Sequence, residues 1–228
     1  MLRFTPILLA VLYALAMYRF SVWRTRRELD ARSTELADPR LKRMTDRLAA
    51  ALDLPRVPVF IYEIDPVNGL AAPDGRIFIT RGFYRKFQNG EITSEEMTSV
   101  IAHELGHVAL GHARRRMIDF SGQNALRTAL AMILSRVLPG VGVWIANGLT
   151  TLLAARLSRG DEYEADEYAA ALLTKAGIGT GAQKSLFTKL EDLTRSRSGA
   201  MPAWLMSHPK TAERIAAIEK LEARWAVT

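Results

Sequence analysis

His103-Glu104-Leu105-Gly106-His107 is where this chain can do chemistry. Read as H-E-x-x-H on a helix, the two histidines stand four residues apart, so both imidazoles rise from one face toward a single cation. Glu104 lies beside them, placed to take a proton from a water that the cation activates. Two imidazoles, a neighbouring carboxylate and a divalent ion are the layout of a zinc hydrolase, usually a peptidase. The plain alternative is that His103 and His107 are polar positions on a surface helix, and the surrounding elements have to decide between the two.

Those elements predict the helix. Thr93-Ser94-Glu95-Glu96 reads as a capping box, with two glutamates at the positive end of the helix dipole. Met97, Val100, Ile101, Leu105 and Val108 supply apolar positions, and Arg114–Arg116 suit the far end, so the helix is expected to run from about Ser94 to Arg116. Gly106 costs it about 1 kcal/mol relative to alanine, which reads as room for another backbone to approach. On a continuous helix His112 points away from His103 and is left out of the site.

A catalytic zinc takes three protein ligands and keeps one position open. The chain has no cysteine, so the third ligand is His, Asp or Glu. The best candidates lie in Ser158-Arg159-Gly160-Asp161-Glu162-Tyr163-Glu164-Ala165-Asp166, read as the start of a helix that stops near Gly177. Glu162 and Asp166 share a face; Glu162 is placed to ligate, and Asp166 to accept the outer N–H of a ligand histidine. The competing explanation is that acidic residues simply favour the first turn of a helix.

His-Glu-Leu-Gly-His followed about fifty residues later by Ser-Arg-x-x-Glu-Tyr-x-Ala-Asp resembles the HtpX-like and type I CAAX prenyl protease family of zinc metallopeptidases, over roughly residues 40–222. The resemblance implies one Zn2+ held by His103, His107 and Glu162, Asp166 as the supporting carboxylate, and Glu104 as the general base. Asn68-Gly69-Leu70-Ala71 resembles the family's strand beside the active-site cleft, implying substrate contact there, and Gly75–Thr80 its partner strand. Ser207-His208-Pro209 with Arg214-Ile215 resembles the family's C-terminal motif, which places His208 at the site as donor to a developing oxyanion.

At 228 residues and +7 the chain can hold one compact domain with a real core. Basicity without a nucleic-acid module reads as arginine clusters near a membrane rather than nucleic-acid binding. Residues 4–18 carry no charge; with Arg19 snorkelling, residues 1–23 are expected to form a retained transmembrane anchor, a cleaved signal peptide being the alternative. Arg19, Arg24, Arg26 and Arg27 after it favour a cytoplasmic-facing domain. A second uncharged stretch, Val137–Ala155, is long enough for a membrane span but holds a proline and three glycines, and reads as a buried or interfacial helical hairpin within the domain, a mobile flap over the cleft being a further alternative.

The expected organisation is an anchor over 1–23, a charged linker over 24–38, and a zincin-like, mostly helical α+β metallopeptidase domain over 39–228. Within that domain the sequence predicts a helix over Pro39–Asp53, a strand over Val57–Ile64, a hairpin of Val67–Ala72 with Arg76–Thr80, and helices over Gly181–Ser196 and Pro209–Trp225. An exposed hairpin edge would pair with an extended peptide. The expected function is a membrane-anchored zinc endopeptidase acting on proteins or peptides, with a role in protein quality control. The alternatives are a noncatalytic membrane adaptor or chaperone that keeps a structural metal, and a zinc hydrolase of another bond. Nothing in the sequence sets an oligomeric state.

Overall fold

The computed structural model describes residues 5–72, 74–112, 115, 127, 130–196 and 211–226. The chain divides into two compact units, one of residues 32–110 and 159–228, the other of residues 1–31 and 111–158. Most of the described chain is helical, with one small sheet.

The first unit is built on a four-stranded sheet of β1 (Ser33–Glu35), β2 (Val59–Tyr62), β3 (Gly69–Ala71) and β4 (Ile77–Thr80), in the order β1-β2-β4-β3. The predicted hairpin forms: β3 runs antiparallel to β4, with Gly69 opposite Ile79 and Ala71 opposite Ile77. β4 is parallel to β2, and β1 closes the other edge antiparallel to β2. Every residue of β4 is buried, as a central strand covered on both faces requires.

Helices pack on this sheet. α2 (Pro39–Ala51) starts as predicted, with Asp38 accepting from the Arg40 and Leu41 amides and proline in the first turn. It buries Leu41, Met44 and Leu48, as its spacing requires. α3 (Arg81–Gln88), capped by Thr80, buries Phe83, Tyr84 and Phe87. α4 (Ser94–Ala109) opens with the predicted capping box: the Thr93 hydroxyl accepts from the Glu96 amide at 3.1 Å, and Glu96 accepts from the Thr93 amide at 2.8 Å. The helix ends before the predicted Arg116, because Gly111 turns into the left-handed region (φ 70°). The continuous-helix argument about His112 therefore does not apply.

α5 (Gly142–Lys175), α6 (Gly181–Ser196) and α7 (Thr211–Trp225) complete the set. α5 stops as expected, the chain reversing at Gly177 (φ 68°), where Arg47 donates to the carbonyls of Ala176 and Gly177. α6 has the predicted bounds. The core joins Leu48, Ile77, Phe83, Ile101, Leu173 and Leu190, drawing on every layer.

The other unit holds α1 (Thr5–Ala31), helical residues 130–137, and the beginning of α5. The hairpin expected within Val137–Ala155 does not form there: the turn falls at residues 138–141, after helical residues 130–137, and the rest of the stretch belongs to one continuous helix. The expected break before Ser158 is missing: from Gly142 the chain is helical to Lys175. Gly148 and Gly160 have open space around them, and isolated glycines cost a helix only about 1 kcal/mol each. Residues 24–38, expected as a linker, instead carry the end of α1 and strand β1. No helix among the described residues is long and apolar enough to cross a membrane. The expected anchor lies in α1, which continues through Arg19, Arg24, Arg26 and Arg27 to Ala31.

Candidate metal centre

α4 and α5 present the donors. His103, His107 and Glu162, all buried, each offer a ligand atom to one point, with the three atoms within 4.8 Å of one another. His103 Nε2 lies 3.1 Å from His107 Nε2 and 3.4 Å from Glu162 Oε2; His107 Nε2 lies 3.5 Å from Glu162 Oε1. Metal bonds of about 2.0–2.1 Å at tetrahedral angles set neighbouring ligand atoms about 3.3–3.4 Å apart. The donor set therefore fits zinc in both chemistry and spacing. The first-turn explanation for the acidic run falls away, since Asp161–Asp166 lie in the interior of α5 rather than at its start.

The approach of the two helices rests on Gly106. A Cβ there would stand 2.9 Å from the carbonyl oxygen of Ala165 and 3.0 Å from its Cα. Any side chain would drive α5 off α4 and carry Glu162 away from the imidazoles. The close backbone approach read from the sequence is thus made, between the two histidines and beside the third donor.

Asp166 orients the site. His103 Nδ1 is 2.9 Å from Asp166 Oδ1 and 3.4 Å from Arg214 Nη2. The shorter contact and the anionic acceptor decide the tautomer: Nδ1 carries the proton and donates it to Asp166, leaving the Nε2 lone pair for the cation. Burial pushes the His103 pKa down, but its hydrogen bonds with Asp166 and then Glu162 outweigh this and raise it to about 9 in the metal-free protein. Burial also favours protonated Asp166, yet the Arg214 guanidinium and His103 hold its carboxyl below the usual range.

Arg214 is the residue that sequence reasoning quoted but gave no role. It is fully buried, donates from Nε to Asp166 Oδ2 at 2.6 Å and from Nη2 to Oδ1 at 2.7 Å, and lies 4.2 Å over the Phe187 ring. Gln183 Nε2 adds a contact at 3.3 Å to Asp166 Oδ1. The ligand histidine is therefore held by a carboxylate that is itself clamped by a forked cation. In the sequence Arg214 stands out only as part of the Arg214-Ile215 pair in the resembling C-terminal motif, since its helix also carries Glu213, Glu219, Lys220, Glu222 and Arg224.

Glu104 is buried on α4 against β3. A Cβ on Gly69 would meet Val100 Cγ1 at 2.8 Å and Glu104 Oε1 at 3.0 Å. The strand read as substrate-binding, Asn68 to Ala71, thus begins against the carboxylate of the H-E-x-x-H motif. β3 is an edge strand, paired on one side with β4. Asn68 receives and donates through Thr80: its amide donates to the Thr80 hydroxyl and its carbonyl accepts from it, each at 3.0 Å. His208 lies outside the described residues.

The model of peptidase family M48 matches residues 35–222, most of the chain. The chain belongs to peptidase family M48. Metalloproteases of this family use zinc, and His103, His107 and Glu162 form a group that could hold it. Among curated relatives, the metalloprotease YcaL of Escherichia coli K12 is 34% identical over 160 residues, 68% of this chain and 58% of the relative. Metalloprotease LoiP of the same organism is 33% identical over 154 residues, with the same coverage of 68% and 58%. The human mitochondrial metalloendopeptidase OMA1 is 28% identical over 171 residues, 72% of this chain and 32% of the relative. The chain thus spans just over half the length of the two bacterial relatives and about a third of the human one.

Proposed function

We propose that this chain is a zinc endopeptidase that hydrolyses peptide bonds of protein substrates. The observation that carries the reading is the convergence of a carboxylate from α5 on two imidazoles from α4, with the motif glutamate beside an open sheet edge. When bound, zinc supplies Lewis acidity to the scissile carbonyl and to the attacking water. His103, His107 and Glu162 hold it, and Asp166 with Arg214 keeps the His103 lone pair pointed inward.

Glu104 Oε takes the proton of the attacking water and delivers it to the leaving amine nitrogen. Its burial against Gly69 fixes the carboxylate in one position relative to the strand. The substrate pairs as an added strand on the free edge of β3, through backbone groups that do not depend on side-chain identity. Such pairing suits unfolded segments, which supports a role in protein quality control. His208 is the proposed donor to the oxyanion, on the strength of the resemblance in its motif. The arginines that follow the apolar part of α1 support attachment of that helix to a membrane, with the domain on the cytoplasmic side.

The test is a panel of denatured proteins, casein included, incubated with and without chelator. Cleavage that chelator abolishes and zinc restores is expected, with Glu104→Gln keeping zinc and fold while losing activity by on the order of 100-fold or more. Zinc binding with no cleavage of any protein would favour an adaptor with a structural metal. Glu162→Ala is expected to lose zinc, and equal metal content in the purified variant would remove Glu162 from the ligand set.

A further inference from the structure

The unit formed by residues 1–31 and 111–158 is assembled inside out. In the turn and first part of α5, Gly142, Ala146 and Thr150, spaced four apart, are the buried positions. A Cβ on Gly142 would fall 2.4 Å from the carbonyl carbon of Leu134, so the preceding helix presses directly on the α5 backbone. The Thr150 hydroxyl is satisfied within its own helix, donating to Ala146 O at 2.8 Å. The large apolar side chains point the other way: Val137 is 72% exposed, Trp144 76% and Leu152 69%, with Met132, Ile133 and Leu149 also exposed. Small residues between helices and large apolar ones outside is the packing of helices whose solvent is hydrocarbon. In water this surface would be an aggregation hazard.

The charge says which apolar phase. Residues 1–31 and 111–158 hold eleven arginines, no lysine and three acidic residues, a formal +8. The remaining residues hold twenty cations and twenty-one acids, a formal −1. The whole positive excess of the chain therefore belongs to the unit that exposes its apolar side chains. No acidic residue occurs from position 120 to 160, and Arg127 and Arg136 flank the apolar turn, exposed. An anionic bilayer offers both at once: acyl chains for the apolar residues and phosphates for the arginines, whose apolar stems and charged heads suit that boundary.

We propose that residues 130–152 form an interfacial hairpin that inserts into the surface of an anionic lipid bilayer without crossing it. No described helix is long and apolar enough to span, and Trp144, in the first turn of α5, stands where tryptophan favours the headgroup boundary. This contact is separate from any attachment through α1, and does not depend on the zinc centre.

The test isolates the hairpin within the full chain. Trp23, Trp204 and Trp225 are replaced by phenylalanine, leaving Trp144 as the sole indole. On vesicles containing phosphatidylglycerol, Trp144 emission is expected to shift to the blue and to be quenched by lipid brominated near the top of its acyl chains. Partitioning should be on the order of tenfold weaker on pure phosphatidylcholine. In the otherwise wild-type chain, Arg127→Ser with Arg136→Ser should lose on the order of tenfold of the preference for the anionic vesicles, read by co-sedimentation. Vesicle binding that leaves Trp144 unquenched overturns the proposal, as does equal partitioning on both lipids. A blue shift that follows protein concentration in the absence of lipid also overturns it, assigning the face to a second copy of the chain.

Discussion

The two units place their apolar side chains in opposite ways. Among the described residues, nineteen large hydrophobic side chains are exposed, and sixteen of them fall in residues 1–31 and 111–158. The unit that carries the metal centre exposes only Leu54, Leu110 and Trp225 in this class, and buries a continuous core beneath its sheet. One unit thus obeys the rule for a domain folded by water, and the other leaves its large apolar side chains outside. The chemistry follows the same division: His103, Glu104, His107, Glu162, Asp166 and Arg214 are all in the unit with the dry core, where low dielectric strengthens their pairing.

The comparison breaks if equivalent substitutions behave alike in the two units. Phe83→Ala removes a fully buried ring and is expected to cost about 3–5 kcal/mol, whereas Trp144→Ala should change stability by less than about 0.5 kcal/mol. Denaturant unfolding in the absence of lipid reads both. A large loss at Trp144 would mean that its ring is a core residue of the folded chain.

Arg214→Leu leaves the Asp166 carboxylate buried without its main counter-charge, and should cost about 3–5 kcal/mol. Zinc affinity should fall on the order of tenfold or more, as the orientation of His103 loosens. Unchanged affinity by chelator competition would show that the carboxylate holds the ring unaided.

Gly69→Ala tests the contact of β3 with Glu104. The added methyl, at 2.8 Å from Val100 and 3.0 Å from Glu104, should cost about 1–3 kcal/mol and lower turnover with zinc content intact. Full activity would mean that Glu104 has room to move.

A smaller loss than at Gly69 is expected at Glu96, which joins the cap of α4 to Ser185 at 2.7 Å and Lys189 at 2.8 Å. Burial raises its pKa, but the bonds from Lys189, the Thr93 amide and Ser185 bring it below the usual 4.5. A depressed folded value means that its contribution is present above pH 4.5 and is lost as pH falls through the lower, folded pKa. Glu96→Gln should therefore cost about 1 kcal/mol at neutral pH, with the difference from wild type vanishing in acid. An equal difference at both pH values would place its origin in packing.

What the sequence made legible was local. Thr93 and Glu96 specify the start of α4 within four residues, and the spacing of Glu162 and Asp166 puts both on one face whether or not the helix begins there. β1 escaped notice because three residues in a charged stretch have no strand signal until β2 pairs with them. The start of α5 lies well before Ser158, because Pro139 and Gly140 fall in the turn while Gly148 and Gly160 sit in open space within the helix. The clamp of Arg214 on Asp166 joins positions 48 apart, which no periodicity can report. The resemblance supplied His208 and the role of the 68–71 strand; neither follows from residue spacing.

The third donor arrives late in the chain. Fifty-four residues separate His107 from Glu162, including residues 111–158 of the other unit. Zinc held by these donors would be a clasp on a long loop as well as a reagent, tightening the fold by an amount set by free metal concentration. Loop closure grows only slowly with length, by about 0.6 kcal/mol per doubling, so the clasped segment can be exchanged for a longer or shorter one with little penalty at the fastening.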